Sequence, residues 1–260
     1  MSITELPDGR WEIAQSLAQP IVYMDHWAVR LFSMDDALQS RFVQALKAKN
    51  GALLFSQNNL SEFCAMKDAE QAVKAERFIN GVLPNFYIAD FTQAPFKSPK
   101  SPAEGPGAPP QNWLLYYMGM KSPSGGAFLS VENLISTLVQ QSDRLRPDLE
   151  EMKKRVAEGI GSFLATDSKE AKRFVPRDHM ATVDILFAEF TRDFHLNPAA
   201  KFTENDTIDL VHAAYAAPIA DFLLLDARWC DKVVKARQRM AGFGMKRHLA
   251  RVYSKKPAHG

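Results

Sequence analysis

The chain has 260 residues, 46% of them apolar and 24% charged, with a formal net charge of +2. That length suits one large domain or two small ones with a sizeable core, and the composition is that of an ordinary globular protein. No apolar run approaches the roughly 20 residues of a membrane-spanning helix, and the start lacks a basic region followed by an apolar run, so neither a membrane span nor a secretory signal is expected.

Cys64 and Cys230 have no metal or redox spacing; they fit small buried residues in a reducing compartment, and a cytoplasmic location is the expectation. The charge is uneven. Residues 232–256 hold nine of the 32 Lys and Arg and no acid, leaving 23 basic against 30 acidic residues elsewhere, a balance of −7. A basic C-terminal segment on an acidic body can touch phosphates, or it can be a solvated helix.

In chain order, four stretches read as strands buried on both faces: "PIVYMD" (20–25), "ALLFS" (52–56), "FYIAD" (86–90) and "DFLLLD" (221–226). "LARVYS" is a weaker fifth. Helical patterns alternate with them. "SMDDALQSRFVQALKAKNG" opens with Ser33 and Asp36 in capping-box spacing and can close at Gly51. A second helix is expected over about 61–80 and a third over about 206–219. Strand alternating with helix predicts a parallel sheet with right-handed crossovers. Residues 91–175 break this rhythm with a Pro-rich loop followed by mainly helical patterns, an insertion expected to clamp substrate or dock a partner.

Acids punctuate the strand ends. Asp25 closes the first strand, Glu62 follows the second in "SQNNLSEF", and Asp226 closes the fourth. Asp209 lies in the helix before that strand, with Asp206 one turn earlier on nearly the same face. In a parallel sheet the strand C-termini share one edge, so these residues should converge. Converging carboxylates repel one another and persist only with cations or raised pKa values. Mg²⁺ or Mn²⁺ is the natural partner, and such a site can activate water for phosphodiester hydrolysis.

Each acid also has an ordinary role. Asp206 can be a helix N-cap, and Asp25, Asp221 and Asp226 can cap the loops at their strand ends. His212 can pair with Asp209, contact a phosphate or be a hydrogen-bonded core histidine. Trp27 and Trp229 fit base stacking or aromatic packing. A phosphatase with an aspartyl nucleophile needs a second Asp two residues after the first, where Trp27 stands, so that reading fails.

The order strand–Asp, helix–Glu, "NDTIDLVH" and strand–Asp resembles the PIN-domain nucleases, over residues 19–90 and 203–253. "IVYMDHWAVRL" and "NNLSEF" support the likeness. The resemblance implies a single PIN-like domain with a three-layer α/β/α fold, a central parallel sheet and the 91–175 insertion. It implies an Mg²⁺- or Mn²⁺-dependent endoribonuclease acting on RNA, with single-stranded DNA a second candidate substrate. The acidic set is Asp25, Glu62, Asp209 and Asp226, with Asp206 as an accessory metal ligand. His212, Lys232, Lys235, Arg237 and Arg239 are the expected substrate contacts. A regulatory or antitoxin-like protein partner and a homodimer are further expectations by analogy. The alternative is a degenerate PIN-like module that binds RNA or protein without cutting. Two departures stand out: Trp27 where the family commonly has Asn or Ser, and Leu225 where many members have Thr.

Overall fold

The computed structural model describes residues 1–5, 7, 11–64, 68–89, 91, 135, 139, 147, 150, 151, 154, 157–161, 168–197 and 202–255. Most of the 91–175 insertion, and Asp90 at the end of the third expected strand, therefore lie outside the described residues. The described residues fall in two compact units, those up to Pro147 and those from Glu150 onward.

The first unit begins with an antiparallel pair, β1 (Ser2–Glu5) and β2 (Trp11–Ala14), in which Ser2 faces Ala14. This pair was not expected from the sequence, although the stretch between its two runs contains Pro-Asp-Gly, a strong turn signal. Then come β3 (Ile21–Met24), α1 (His26–Met34), α2 (Asp36–Ala48), β4 (Ala52–Ser56), α3 (Gln57–Cys64), α4 (Ala69–Val82) and β5 (Phe86–Ala89). Every residue of β3, β4 and β5 is buried, as expected of parallel strands covered on both faces. β4 lies parallel to both β3 and β5, with Tyr23 opposite Leu54 and Leu54 opposite Tyr87. α1 packs on α4, and Phe32, Phe42 and Phe78 meet ring to ring with centroids 5.1–6.1 Å apart.

The second unit contains α5 (Ser168–Arg173), α6 (Thr182–Leu196), α7 (Glu204–Ala216), β6 (Phe222–Leu224), α8 (Ala227–Gly242) and β7 (Arg251–Tyr253). β6 and β7 are parallel, with Leu223 opposite Val252. Trp229 on α8 is 1% exposed and meets Phe190 of α6 edge-on at 5.7 Å. α6 falls in a stretch for which the sequence pattern predicted no element. Within the first unit the parallel strands follow the order β5-β4-β3, and within the second β6 lies beside β7. No helix among the described residues is long and apolar enough to cross a membrane.

Three helix boundaries differ from expectation, each because a side chain caps the backbone elsewhere. Asp35, not Ser33, starts α2 by accepting from the Leu38 N–H, while Ser33 lies inside α1 and donates to the Arg30 carbonyl. The expected 61–80 helix is two helices, the second opened by Asp68 accepting from Glu70 and Gln71. α7 opens at Thr203, and Asp206 supplies the reciprocal bond to the Thr203 N–H.

Gly51 does not itself close α2. Asn50 takes the left-handed conformation at φ 50°, and the Gly51 N–H bonds to the Leu46 carbonyl while the Asn50 N–H bonds to Lys47. Gly51 is required for a different reason: a Cβ there would lie 2.5 Å from the Pro20 carbonyl oxygen and 2.9 Å from Pro20 Cδ. Gly51→Ala is therefore expected to destabilise the fold by about 1–3 kcal/mol in urea unfolding. Asn50→Gly at the left-handed position should be nearly neutral.

Candidate metal centre

Asp25 and Glu62 reach the same place from neighbouring parallel strands. Asp25 directly follows β3 and is the N-cap of α1, where one carboxylate oxygen accepts from the His26 N–H at 2.6 Å. Glu62 lies two turns into α3, the helix that begins as β4 ends. Both residues thus sit at the C-terminal edge of the sheet, where open α/β sheets bind ligands.

A buried polar knot fixes the distance between the two strand ends. Asn59, one turn before Glu62 and 1% exposed, accepts from the Ser56 N–H at 2.8 Å. Its amide nitrogen donates to the Met24 carbonyl at 2.9 Å. One side chain thereby ties the last residue of β3 to the start of α3. The Ser56 hydroxyl lies 3.2 Å from the same Asn59 oxygen and 3.0 Å from the Tyr23 hydroxyl. Burial holds the Tyr23 phenol well above its ordinary pKa; its hydrogen bonds to Ser56 and Asn59 oppose the shift, and the charges of Glu62 and Asp25 add to it. Tyr23 therefore stays a neutral neighbour of two carboxylates.

An oxygen of Asp25 and an oxygen of Glu62 lie within 4.8 Å of each other. Asp25 is 5% exposed and Glu62 half-buried. Beside Asp25, the buried His26 Nδ1 and Trp27 Nε1 make no hydrogen bond among the described residues. An unsatisfied buried polar atom costs about 1–3 kcal/mol. Burial, reinforced by Arg30, lowers the pKa of His26 and keeps that ring neutral.

The other expected site residues are placed differently. Asp226 is exposed at the N-terminus of α8; its backbone carbonyl accepts from Trp229 and Cys230, and its side chain makes no capping bond. Asp209 accepts from Trp229 Nε1 at 3.1 Å. Asp206 is held by Thr203 and by an ion pair with Arg228. These three acids and the fully buried His212 belong to the second unit, and Asp25 and Glu62 to the first. Asp206 satisfies one of the orphan N–H groups that a helix N-terminus presents.

The expected substrate cations are largely engaged within the second unit. Lys232, 4% exposed, pairs with Asp193 and lies 3.9 Å above the Phe194 ring. Arg237 donates to the Leu249 and Ala250 carbonyls. Arg239 donates to Glu189 at 2.7 Å and to the Phe174 carbonyl. Lys235 is exposed and pairs with Asp231 at 2.7 Å.

Comparison with known proteins adds no relative: no family model, curated protein or solved structure matches the chain.

Two outcomes follow from this geometry. Asn59→Ala leaves the Ser56 N–H and the Met24 carbonyl buried without their partner, and should cost about 2–4 kcal/mol in chemical denaturation. Arg239→Gln leaves Glu189 buried beside a weaker partner. Burial already raises the Glu189 pKa, with Arg239 opposing that shift. A carboxyl with a raised folded-state pKa loses stability as pH rises above its ordinary range. The Arg239→Gln deficit should therefore be largest near neutral pH, on the order of 2 kcal/mol, and should shrink on acidification as Glu189 protonates.

Proposed function

We propose that the chain is a PIN-like metal-dependent nuclease that hydrolyses RNA phosphodiester bonds, with Asp25 and Glu62 holding one divalent cation. The observation that carries this reading is the close approach of the two carboxylates, whose oxygens lie within 4.8 Å of each other. Two carboxylates that close, at a largely buried site, are costly unless a cation or a proton lies with them. Two ligands on one ion leave coordination positions for water and substrate oxygen.

The donor set also bears on which ion: carboxylate oxygens suit hard ions such as Mg²⁺ and Mn²⁺. Bound there, the ion would polarise a phosphoryl oxygen and lower the pKa of a water molecule. The chain's own residues supply the rest. The His26 N–H orients the Asp25 carboxylate, and Asn59 sets the Asp25–Glu62 separation. RNA as substrate, with single-stranded DNA second, follows the sequence resemblance. A protein partner and a homodimer stay within the proposal on the same basis.

Mn²⁺ should raise the thermal stability of the wild-type protein, by about 2.7 kcal/mol at a hundred times the dissociation constant. Asp25→Asn should abolish both this gain and any Mn²⁺-dependent RNA cleavage that EDTA stops. Wild-type cleavage by Asp25→Asn would remove the assignment. A metal-dependent gain with no cleavage of any RNA or single-stranded DNA would leave a binding module in its place.

A further inference from the structure

The second unit contains a groove between α6 and α8 that the metal reading does not use. Four cations (Arg192, Lys232, Lys235 and Arg239) and two carboxylates (Glu189 and Asp193) line it, so positive charge exceeds negative by two. Each carboxylate is shared by two cations, one near and one far. Glu189 accepts from Arg239 at 2.7 Å, while Arg192 is 3.9 Å away. Asp193 pairs closely with the buried Lys232, while Lys235 is 3.8 Å away.

The near cations, Lys232 and Arg239, therefore form the wall, and the far ones, Arg192 and Lys235, are left under-used. The Arg192 Nε donates to the Lys172 carbonyl at 3.3 Å, and its two terminal nitrogens make no hydrogen bond among the described residues. Lys235 has one short ion pair, to Asp231 one turn away, more than half exposed on both sides. Such surface pairs are worth little and exchange readily.

We propose that this groove binds a phosphate group through the Arg192 guanidinium and the Lys235 ammonium. A guanidinium fork matches two phosphate oxygens, and an ammonium adds a point charge for a third. Gln238, on the same lining, contributes a neutral amide donor. The floor is poorly solvated: Glu189 there is 5% exposed. Attraction to an incoming anion is stronger there than at an open surface. The charge excess also excludes a bare cation as the occupant. The phosphate could belong to a nucleic-acid backbone or to a small phosphorylated molecule; the chemistry of recognition is common to both.

The test uses the full chain and two probes, inorganic phosphate and a short single-stranded oligonucleotide, at several salt concentrations. Removing both cations in Arg192→Gln/Lys235→Gln should weaken binding of either probe by about tenfold or more. For the oligonucleotide, the slope of log affinity against log salt should also fall, by about 0.7 for each phosphate no longer neutralised. Lys47→Gln/Lys49→Gln, which removes the same charge from exposed positions of the first unit, should change neither. Lys235→Gln alone, at an exposed side chain, covers the case in which the double variant fails to fold, and should show a smaller effect. Mn²⁺ stabilisation should be unaffected in every variant, so this inference and the metal reading fail separately. A double variant that no longer binds the oligonucleotide identifies a backbone site; one that fails to bind inorganic phosphate alone identifies a small phosphorylated ligand. Equal binding by the double variant and the Lys47/Lys49 control, or no binding of either probe to the wild type, would overturn it.

Discussion

The site depends on a single amide. Parallel strands do not hydrogen-bond beyond their ends, so the loops that leave β3 and β4 are free to diverge unless something joins them. Asn59 joins them with an acceptor for the Ser56 N–H and a donor for the Met24 carbonyl. Asn is suited to this because its side chain carries both functions on one short stem. A carboxylate would offer no donor for Met24, and a hydroxyl on a shorter stem would not span both. Because Met24 directly precedes Asp25 and Asn59 is one turn before Glu62, the knot that satisfies the backbone also sets the carboxylate separation. Stability and site geometry are the same interaction here.

The second unit uses its charge differently. Its basic helix resembles a nucleic-acid surface in one dimension, yet all four cations expected to meet substrate are paired within the same unit, Lys235 through an ion pair exposed on both sides. The buried members must be paired, because an isolated charge removed from water is prohibitive. Burial and pairing account for Lys232 and Arg239. What is left over is the excess at the groove mouth, and half of that excess comes from Arg192, which belongs to α6 and not to the basic segment. Net charge along a sequence is therefore a poor guide to where cations are available; the pairing pattern decides it.

The buried strands were legible in the sequence because their signal is redundant. "IVYM", "ALLFS" and "FYIA" have no polar face, and short runs of that kind suit a sheet covered on both sides. Helix ends were less legible, since Ser33, Asp35, Asp36 and Asp68 are all competent caps and only tertiary packing chooses among them. Where Asp25 and Glu62 fall in the fold was legible for the same reason as the strands: each follows one. Asp226 also follows a strand, but the strand end fixes only its position. That its carboxylate is exposed at the first turn of α8 and makes no capping bond is not encoded in the spacing.

His212 shows the limit of reading spacing alone. Asp206, Asp209 and His212 recur every three residues on α7, so pattern alone treats them as equivalent members of one face. The structure distinguishes them by depth along the helix. Asp206 is in the first turn, where N–H groups lack intrahelical partners, and the cap takes it. Asp209 is one turn on and is taken by the Trp229 indole. His212 is a further turn into the core, past the reach of any cap, and is fully buried. Depth also explains the residue type there. A third carboxylate at that depth would carry a desolvation cost that an imidazole, able to stay neutral, does not. The same helix thus presents acids where its end can use them and an imidazole where it cannot.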